Sequence, residues 1–169
     1  MHRRNALMVA GLSATALIAG CGGGNEPEPL PDIFQLAQTS LDLTILVEAF
    51  VRAGLVGTLQ GAGPFTVFAP TNSAFAALFT ELGLTTVQLL ANVPLLTTVL
   101  SYHLVPGRVL KADIPVNTDI ATVQGETLRV SSGLVITDQR RRTSRIAATD
   151  VLSRNGVIHF IDKLILPRP

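Results

Sequence analysis

The sequence predicts an α+β domain in which helices come first and an antiparallel, strand-rich half follows. Three observations point to this class. Apolar residues recur at helical spacing between residues 32 and 105, short β-branched segments separated by turn residues fill 119–166, and no internal repeat divides the chain. A chain of 169 residues with 47% apolar content is typical of one globular domain that needs no disulfide to hold its core.

The first 20 residues predict an export signal. Arg3 and Arg4 precede an apolar run over residues 6–20, which is shorter than the roughly 20 apolar residues that a membrane-spanning helix needs. The run ends in "LIAGC", which is similar to the lipobox of bacterial lipoproteins, where a peptidase cleaves before a lipid-modified cysteine. The resemblance implies a lipoprotein signal peptide over 1–20 and lipid, such as palmitate, on Cys21. A plain secretory signal with an incidental cysteine is the alternative.

Residues 21–31 predict a tether between this lipid and the domain. The stretch "GGGNEPEPLP" has three glycines, three prolines and no apolar periodicity. Acyl chains on Cys21 would anchor the tether to a membrane, because each buried methylene adds to the binding free energy. Gly22, where an aspartate is absent, is typical of onward transport to an outer membrane. We therefore expect an exported protein, lipid-anchored to the bacterial cell envelope at the outer membrane or cell surface.

The charge balance argues against a nucleic-acid partner. The chain has 13 basic and 12 acidic residues, and two of the basic ones, Arg3 and Arg4, lie in the predicted signal. What remains is close to neutral, whereas a nucleic-acid binder needs a basic face toward the phosphates.

The domain itself is predicted to begin at Asp32, which can cap a first helix. Asp42 can cap a second helix, in which apolar residues return at helical spacing until Gly54 ends it. The stretch "GPFTVFAP" at 63–70 then predicts a short strand, because it is apolar, β-branched and bounded by prolines.

Three more helices are expected after this strand. Thr71 or Asn72 can cap the first of them, because a side-chain oxygen at that position accepts from an unpaired backbone N–H. The stretches "TTVQLLAN" and "PLLTTVLSYHLV" predict the other two, split near Pro94.

Short strands make up the rest of the chain. Gly125, Gly133 and the "RRRTS" stretch mark the breaks between the predicted strands. The polar loop at 138–145, with Arg140, Arg141 and Arg142, is most simply a solvated hairpin tip, although clustered guanidinium groups can also contact an anionic surface. The strands are expected in "DIATVQG", "ETLRVSS", "GLVITDQ", "RIAATDVL" and "GVIHFIDKLIL".

Three segments carry a resemblance to a known family. "FTVFAPTNSAF" at 65–75, "LSYHLVPG" at 100–107 and "NGVIHFIDKLILP" at 155–167 occur in this order. Together they resemble the conserved blocks of the fasciclin family, the FAS1 domain, over residues 32–167. The resemblance implies a β-sandwich-like wedge with several helices packed around it. It also implies an extracellular adhesion or interaction module, without established catalysis for most members.

The resemblance also indicates positions that contact partners in some members. A Tyr-His motif associated with binding falls on Tyr102 and His103. An Asp-Ile centred motif that animal members use for integrin contact falls on 148–152, where Asp150 is kept. The acidic-proline pair before it is replaced by Ala148 and Thr149, which argues against an integrin-like use.

The residues themselves offer little for catalysis or metal binding. The chain has no H-E-x-x-H, paired Cys-x-x-Cys or acidic EF-hand loop, so we expect no metal and no cofactor. His103 is most simply a hydrogen-bonded core histidine, with a role in recognition as the alternative. Asn72 is most simply a helix cap, and its alternative is a small site shared with His103.

The histidine and aspartate in "NGVIHFIDKLIL" do not predict a catalytic dyad. We expect Asn155 and Gly156 to form a turn and residues 157–166 to alternate as a strand, which places His159 and Asp162 on opposite faces. A hydrogen-bonded histidine in the core or at its rim is the favoured interpretation of His159.

The sequence therefore predicts a noncatalytic, lipid-anchored adhesion or interaction module of the cell envelope. Its expected partner is a cell-surface, matrix or envelope component, either protein or polysaccharide. The alternatives are a small-molecule binding protein or minor hydrolase with a cleft near Asn72, Tyr102 and His103, and a structural envelope protein without a specific ligand.

Overall fold

The computed structural model describes residues 28–169, so the predicted signal peptide and Cys21 lie outside the described residues. The predicted α+β class is confirmed, with helices in the first half and most strands in the second. In chain order the elements are α1 (Ile33–Thr39), α2 (Thr44–Arg52), α3 (Val56–Gln60), β1 (Phe65–Pro70), α4 (Asn72–Leu82), α5 (Thr86–Ala91), α6 (Val93–Tyr102), β2 (Leu104–Pro106), β3 (Asp119–Ala121), β4 (Thr127–Val130), β5 (Val135–Thr137), β6 (Thr143–Ser153) and β7 (Gly156–Ile161).

The first helix starts as predicted, and the second does not. Asp32 caps α1, because its carboxylate accepts from the backbone N–H of Gln35 at 2.8 Å while the Gln35 side chain accepts from the N–H of Asp32. The cap predicted at Asp42 is wrong: this residue lies in a short 3₁₀ turn before α2, and α2 begins only at Thr44. Gly54 follows α2 with a φ of 69°, which suits glycine at a helix end.

The later helices follow the predicted pattern, except that α6 ends at Tyr102 and the last residues of its predicted stretch, 104–105, belong to β2. Thr71 rather than Asn72 caps α4, since its hydroxyl accepts from the N–H of Ala74 at 3.4 Å. The break between α5 and α6 lies at Asn92, near Pro94 as predicted. The Asn92 side chain caps α6, and Pro94 is accommodated in its first turn, where a helix does not need the missing N–H.

The seven strands form one curved sheet in the order β2-β1-β7-β6-β5-β4-β3. Strands β1 and β7 are parallel, and the other neighbours are antiparallel. The 11-residue β6 belongs to both halves of the sheet, because its first residues pair with β5 and the rest with β7. The two edges come together where the N–H of Val123 donates to the carbonyl of Leu104 at 2.8 Å. The sheet is therefore nearly closed.

Two hydrophobic cores lie on opposite faces of β1 and β7. Val67, Ala69 and Ile158 point toward the helices and form one core with them. Phe68 and Ile161 point into the curved sheet and form the other core. Alternate residues of the central strands thus serve different cores, as the period of a strand requires.

The last strand is shorter than predicted. It ends at Ile161 instead of reaching residue 166, because the chain then leaves the sheet as a segment that we call the tail, residues 164–169. Leu164 and Leu166 join the helix-side core and Ile165 joins the core inside the sheet. Successive residues still alternate between two sides beyond Ile161, but in the tail the two sides are the two cores and not the two faces of a strand.

The turn before β7 also differs from the prediction. Arg154 and Asn155 form the turn, and Gly156 already pairs with Ser153 as the first residue of β7. Among the described residues, no helix is long and apolar enough to cross a membrane.

Candidate functional site

Tyr102 lies at the end of α6 and is fully buried in the core inside the sheet. Its hydroxyl donates to the backbone carbonyl of Thr127 at 2.8 Å. Burial raises the pKa of the Tyr102 phenol far above its ordinary value, so the group stays protonated. Tyr102 therefore connects α6 to β4.

His103 follows directly and is also fully buried. Its Nδ1 lies 2.8 Å from the carbonyl oxygen of Val99, and its Nε2 accepts from the backbone N–H of Ile165 at 3.3 Å. The proton therefore sits on Nδ1, since a carbonyl can only accept. Burial lowers the pKa of His103 from 6.5 to about 4, so the ring is neutral at physiological pH.

The side chain of Asn72 is hydrogen-bonded to residues at the start of a different helix, α2. Its Oδ1 accepts from the backbone N–H of Ile45 at 3.1 Å, and its Nδ2 donates to the carbonyl of Leu41 and the hydroxyl of Thr44, both at 2.9 Å. Asn72 therefore supplies from α4 the cap of α2 that the sequence predicts at Asp42.

The cleft of the alternative interpretation, near Asn72, Tyr102 and His103, is not formed in this structure. Tyr102 and His103 are 0% exposed, because the last turn of α6 directs both side chains inward. Asn72 is held on α2, where each of its polar atoms already has a partner. The three residues have separate structural roles.

Asp150 is exposed and lies where β6 bulges, with a φ of 60°. Its carboxylate accepts from the N–H of Lys111 at 2.7 Å, and its own N–H donates to Nδ1 of His159 at 3.2 Å. The other ring nitrogen of His159, Nε2, donates to the carbonyl of Val109 at 2.8 Å. A contact between Asp150 and a partner protein stays a prediction.

His159 is the buried, hydrogen-bonded histidine that the strand pattern predicts. It stacks on Phe68 with 5.7 Å between the ring centroids, and burial lowers its pKa. Together with Thr66, whose hydroxyl accepts from the N–H of Val109 at 2.8 Å, it fastens the segment after β2 to the central strands. Asp162 has other partners, since its carboxylate accepts from Ser144 and Arg145.

Within residues 28–169, no group of three or more histidine, cysteine or acidic side chains is arranged to hold a metal ion. The acidic side chain with the most backbone contacts is structural. Asp138 is buried, and it accepts from the N–H groups of Arg140 and Arg142 with one oxygen and of Leu166 with the other, at 2.8 to 2.9 Å. It fixes the arginine loop, residues 138–142, against the tail.

The arginine loop is only partly the solvated tip that was expected. Arg141 is exposed, but Arg142 pairs with Glu81 at the end of α4. Arg140 donates through Nε to the carbonyl of Pro167 at 2.7 Å. The loop therefore joins β5 and β6 to the helices and to the tail.

Next to this loop lies a concave feature that the sequence reasoning missed. We call it the apolar groove; its volume is about 370 Å³, and its walls come from α4, α5, α6 and the tail. The lining includes Leu78, Leu82, Leu89, Leu95 and Val99 together with Arg140 and Arg168. One signal could have indicated it, since no Asp, Glu, Lys or Arg occurs from residue 82 to residue 107.

Comparisons with known proteins agree with the fold. A family model, the fasciclin domain, matches residues 41–167. Protein sll1735 of Synechocystis sp. is 35% identical over 139 residues, covering 81% of this chain and 98% of that protein. Protein sll1483 of the same organism is 40% identical over 138 residues, covering 80% of this chain and 73% of that protein.

More distant matches are found in larger proteins. Transforming growth factor-beta-induced protein ig-h3 of Sus scrofa is 32% identical over 139 residues, covering 82% of this chain but only 20% of that protein. Among solved structures, the FAS1 domain pair of the insect cell adhesion molecule fasciclin I superposes with a TM-score of 0.73 at 16% identity, covering 82% of this chain and 51% of that one. By the matched sequence blocks, the fold and these relatives, the chain belongs to the fasciclin domain family.

Proposed function

We propose that this protein is a noncatalytic adhesion or interaction module, exported and held at the cell envelope by lipid on Cys21. Membership in the fasciclin family is the observation that carries the proposal. The insect protein with the same fold is, by its name, a cell adhesion molecule. The proposed partner is a cell-surface, matrix or envelope component, and the anchor rests on the sequence pattern of residues 1–21 alone.

The state of the two described histidines supports a noncatalytic role. A general acid or base has to reach its substrate and to titrate near the working pH. His103 and His159 are both 0% exposed, and all four ring nitrogens are hydrogen-bonded to the backbone. The burial that lowers their pKa values also removes them from any substrate.

The place where the tether enters the domain indicates which end faces a partner: the end that lies opposite the tether. The carbonyl of Pro31 accepts from the N–H of Arg154, so the chain enters beside the turn between β6 and β7. The arginine loop lies at the other end of β6, which is 11 residues long. At about 3.3 Å per residue, roughly 30 Å of strand separates the two ends. We call the end with the arginine loop the distal end and propose that it meets the partner.

The anchor is tested by the variant Cys21→Ser. We expect the variant to incorporate no labelled palmitate and to leave the membrane fraction, because acylation at this residue supplies the membrane affinity. Gly24→Ala, three residues along the tether, is the matched control and should stay at the membrane. Unchanged palmitate labelling and membrane association of Cys21→Ser would refute the proposed anchor.

Adhesion is tested by coupling the chain from residue 21 to beads in two orientations. Cys21 is the only cysteine, so thiol coupling through it leaves the distal end outward. The double variant Cys21→Ser/Arg141→Cys couples through the arginine loop and hides that end. We expect cells or extracellular matrix to retain only the first kind of bead. Equal retention would contradict a distal contact, and no retention in either orientation would refute adhesion.

A further inference from the structure

The apolar groove combines a buried floor with an exposed apolar rim. Leu78, Leu89 and Val99 on its floor are at most 4% exposed, whereas Leu82 and Leu95 on its rim are 46% and 39% exposed. Packing of the protein's own core does not require leucines at these exposed rim positions. Contiguous apolar surface of this kind in a concavity marks a place for an apolar ligand group.

The helices around the groove are unusual for surface helices. Neither α5 nor α6 contains a charged residue, although Val87 is 75% and Val93 is 42% exposed. Surface helices normally place charged residues on the face that meets water. The helices α5 and α6 therefore offer an apolar surface from the groove outward.

Positive charge stands at the wall that the tail forms. Arg140 donates through Nε to the carbonyl of Pro167, and Arg168 donates through Nε to Oε1 of Gln139 at 3.2 Å. Both acceptors are neutral, so these bonds position the guanidinium groups without cancelling their charge. In the described part of the chain, neither group forms an ion pair with a carboxylate.

The nearby carboxylates have other partners. Glu81 is paired with Arg142. Glu126 accepts from the backbone N–H of Arg168 at 2.9 Å, and Asp138 accepts from the backbone N–H groups of Arg140 and Leu166. Both carboxylates are bonded to backbone N–H groups here, and within residues 28–169 neither accepts from the guanidinium group of Arg140 or Arg168.

We propose that the apolar groove binds an amphipathic carboxylate, an aliphatic chain with an anionic head such as a free fatty acid. The aliphatic chain lies on the leucines of α4, α5 and α6, and the carboxylate meets Arg140 and Arg168. A guanidinium binds a carboxylate through paired, charge-assisted hydrogen bonds. The groove volume of about 370 Å³ lies within the roughly 300–1,000 Å³ of small-molecule sites.

The first test is calorimetric titration with decanoate of the chain from residue 21 carrying Cys21→Ser, so that no acyl chain of its own competes. We expect saturable binding of one decanoate per chain. In methyl NMR spectra the same titration should shift Leu82 and Leu95 and leave Leu128, which is buried inside the sheet, unchanged. Absence of saturable binding would overturn the proposal.

A groove-filling variant gives the second test. Thr98 is exposed, lines the groove and bonds only to the carbonyl of Pro94 in its own helix, so Thr98→Phe should fold and block the aliphatic chain. Thr80→Phe is the matched control, since Thr80 makes the same type of bond on α4 and does not line the groove. Thermal unfolding checks both folds. Equal affinities of the two variants for decanoate would overturn the site.

The third test concerns the head group. Arg140→Gln/Arg168→Gln should weaken decanoate binding about tenfold or more, because a hydrogen bond to a charged group is lost. Its affinity for the neutral 1-decanol should not change. Arg141→Gln/Arg145→Gln removes the same charge outside the groove and should leave decanoate binding intact. Equal loss in both double variants would exclude a specific head-group contact.

A membrane surface is the competing occupant. Sedimentation with phosphatidylglycerol vesicles separates the two, because the groove is concave and admits single chains. Association with vesicles in a protein that does not bind decanoate would overturn the proposal in favour of peripheral membrane docking. None of these outcomes depends on whether the protein mediates adhesion.

Discussion

The imidazole of His103 makes folding stability depend on pH. In the unfolded chain the ring takes up a proton below about pH 6.5. In the folded protein burial holds its pKa near 4. Between these values the unfolded state binds more protons, so the free energy of unfolding falls as the pH is lowered. We expect urea denaturation to report a loss of up to about 3 kcal/mol from this residue between pH 7 and pH 4.

The variant His103→Gln isolates this contribution. It has no titrating ring, so its stability should fall less steeply over the same pH range, even if it is lower at pH 7. His159 is the second source of slope in the same direction, because its pKa is also lowered by burial. Identical pH slopes for the wild-type protein and His103→Gln would show that the buried ring is not the cause.

Asn72 stabilises α2 from outside that helix. Asn72→Ala leaves the N–H of Ile45 without its acceptor, and we expect a loss of about 1–3 kcal/mol in the free energy of unfolding. Ser73→Ala, one residue later on the exposed surface of α4, should change stability by no more than about 0.5 kcal/mol. Chemical denaturation of both variants measures the difference, and equal stabilities would exclude the cap.

For single residues, the sequence shows which positions are notable better than it shows what their side chains do. Tyr102 and His103 stand out in the motif, but no pattern in the neighbouring letters shows that both are fully enclosed. Their enclosure depends on β4 and on the tail, which supply the carbonyl of Thr127 and the N–H of Ile165. Partners 25 and 62 residues away in the chain cannot be read from local spacing.

Strands β1 and β7 approach each other closely at Gly156. A Cβ at this position would collide with the carbonyl oxygen of Phe65 and lie 2.8 Å from the side chain of Ile33. Gly156→Ala should therefore force the central strands apart and cost about 1–3 kcal/mol or more.

Gly57→Ala is the control for that substitution. Gly57 lies in α3, and nothing stands within 4 Å of an added Cβ. Alanine there should raise stability by about 0.5–1 kcal/mol, because it favours the helix. Thermal melts of the two variants should shift in opposite directions. A Gly156→Ala protein as stable as the wild type would contradict the close approach.

Helix ends are predicted well from the sequence where the capping residue and its partner are close together in the chain. The capping box at Asp32 and the cap at Thr71 lie within three residues of their partners, and the structure has both. The start of α2 depends on Asn72, 27 residues later. Asn155, expected only as a turn residue, binds the N–H of Ile33 and the carbonyl of Leu59. Its role depends on contacts 122 and 96 residues apart.

For the molecule as a whole, the tail completes both cores. Leu164, Ile165 and Leu166 are at most 5% exposed, and burial of each contributes about 1.5–3 kcal/mol. Their loss compares with a total stability of about 5–15 kcal/mol for a domain. A chain ended after Lys163 should therefore be unfolded by circular dichroism, and a chain ended after Pro167 should fold. A folded, cooperative transition in the shorter chain would refute this role of the tail.

The apolar groove is also a property of the whole molecule, and for that reason the sequence motifs did not reveal it. Its walls come from three helices, the arginine loop and the tail, which only the tertiary fold brings together. The uncharged stretch from residue 82 to residue 107 was visible in the sequence. In a sequence alone, such a stretch is equally typical of buried helices, and only the exposure of Val87 and Leu95 separates the two cases.

The parallel pairing of β1 with β7 has a consequence for folding during synthesis and export. Phe65 pairs with Gly156, so two adjacent central strands lie about 90 residues apart in the chain, a separation that raises the contact order and slows folding. The six helices are all made before β7 exists, and one of the two central strands that contribute to their core is missing until then. The nascent domain therefore stays open until its last strand emerges. If the predicted export signal acts, that delay would keep the chain competent for translocation while it is still unfolded.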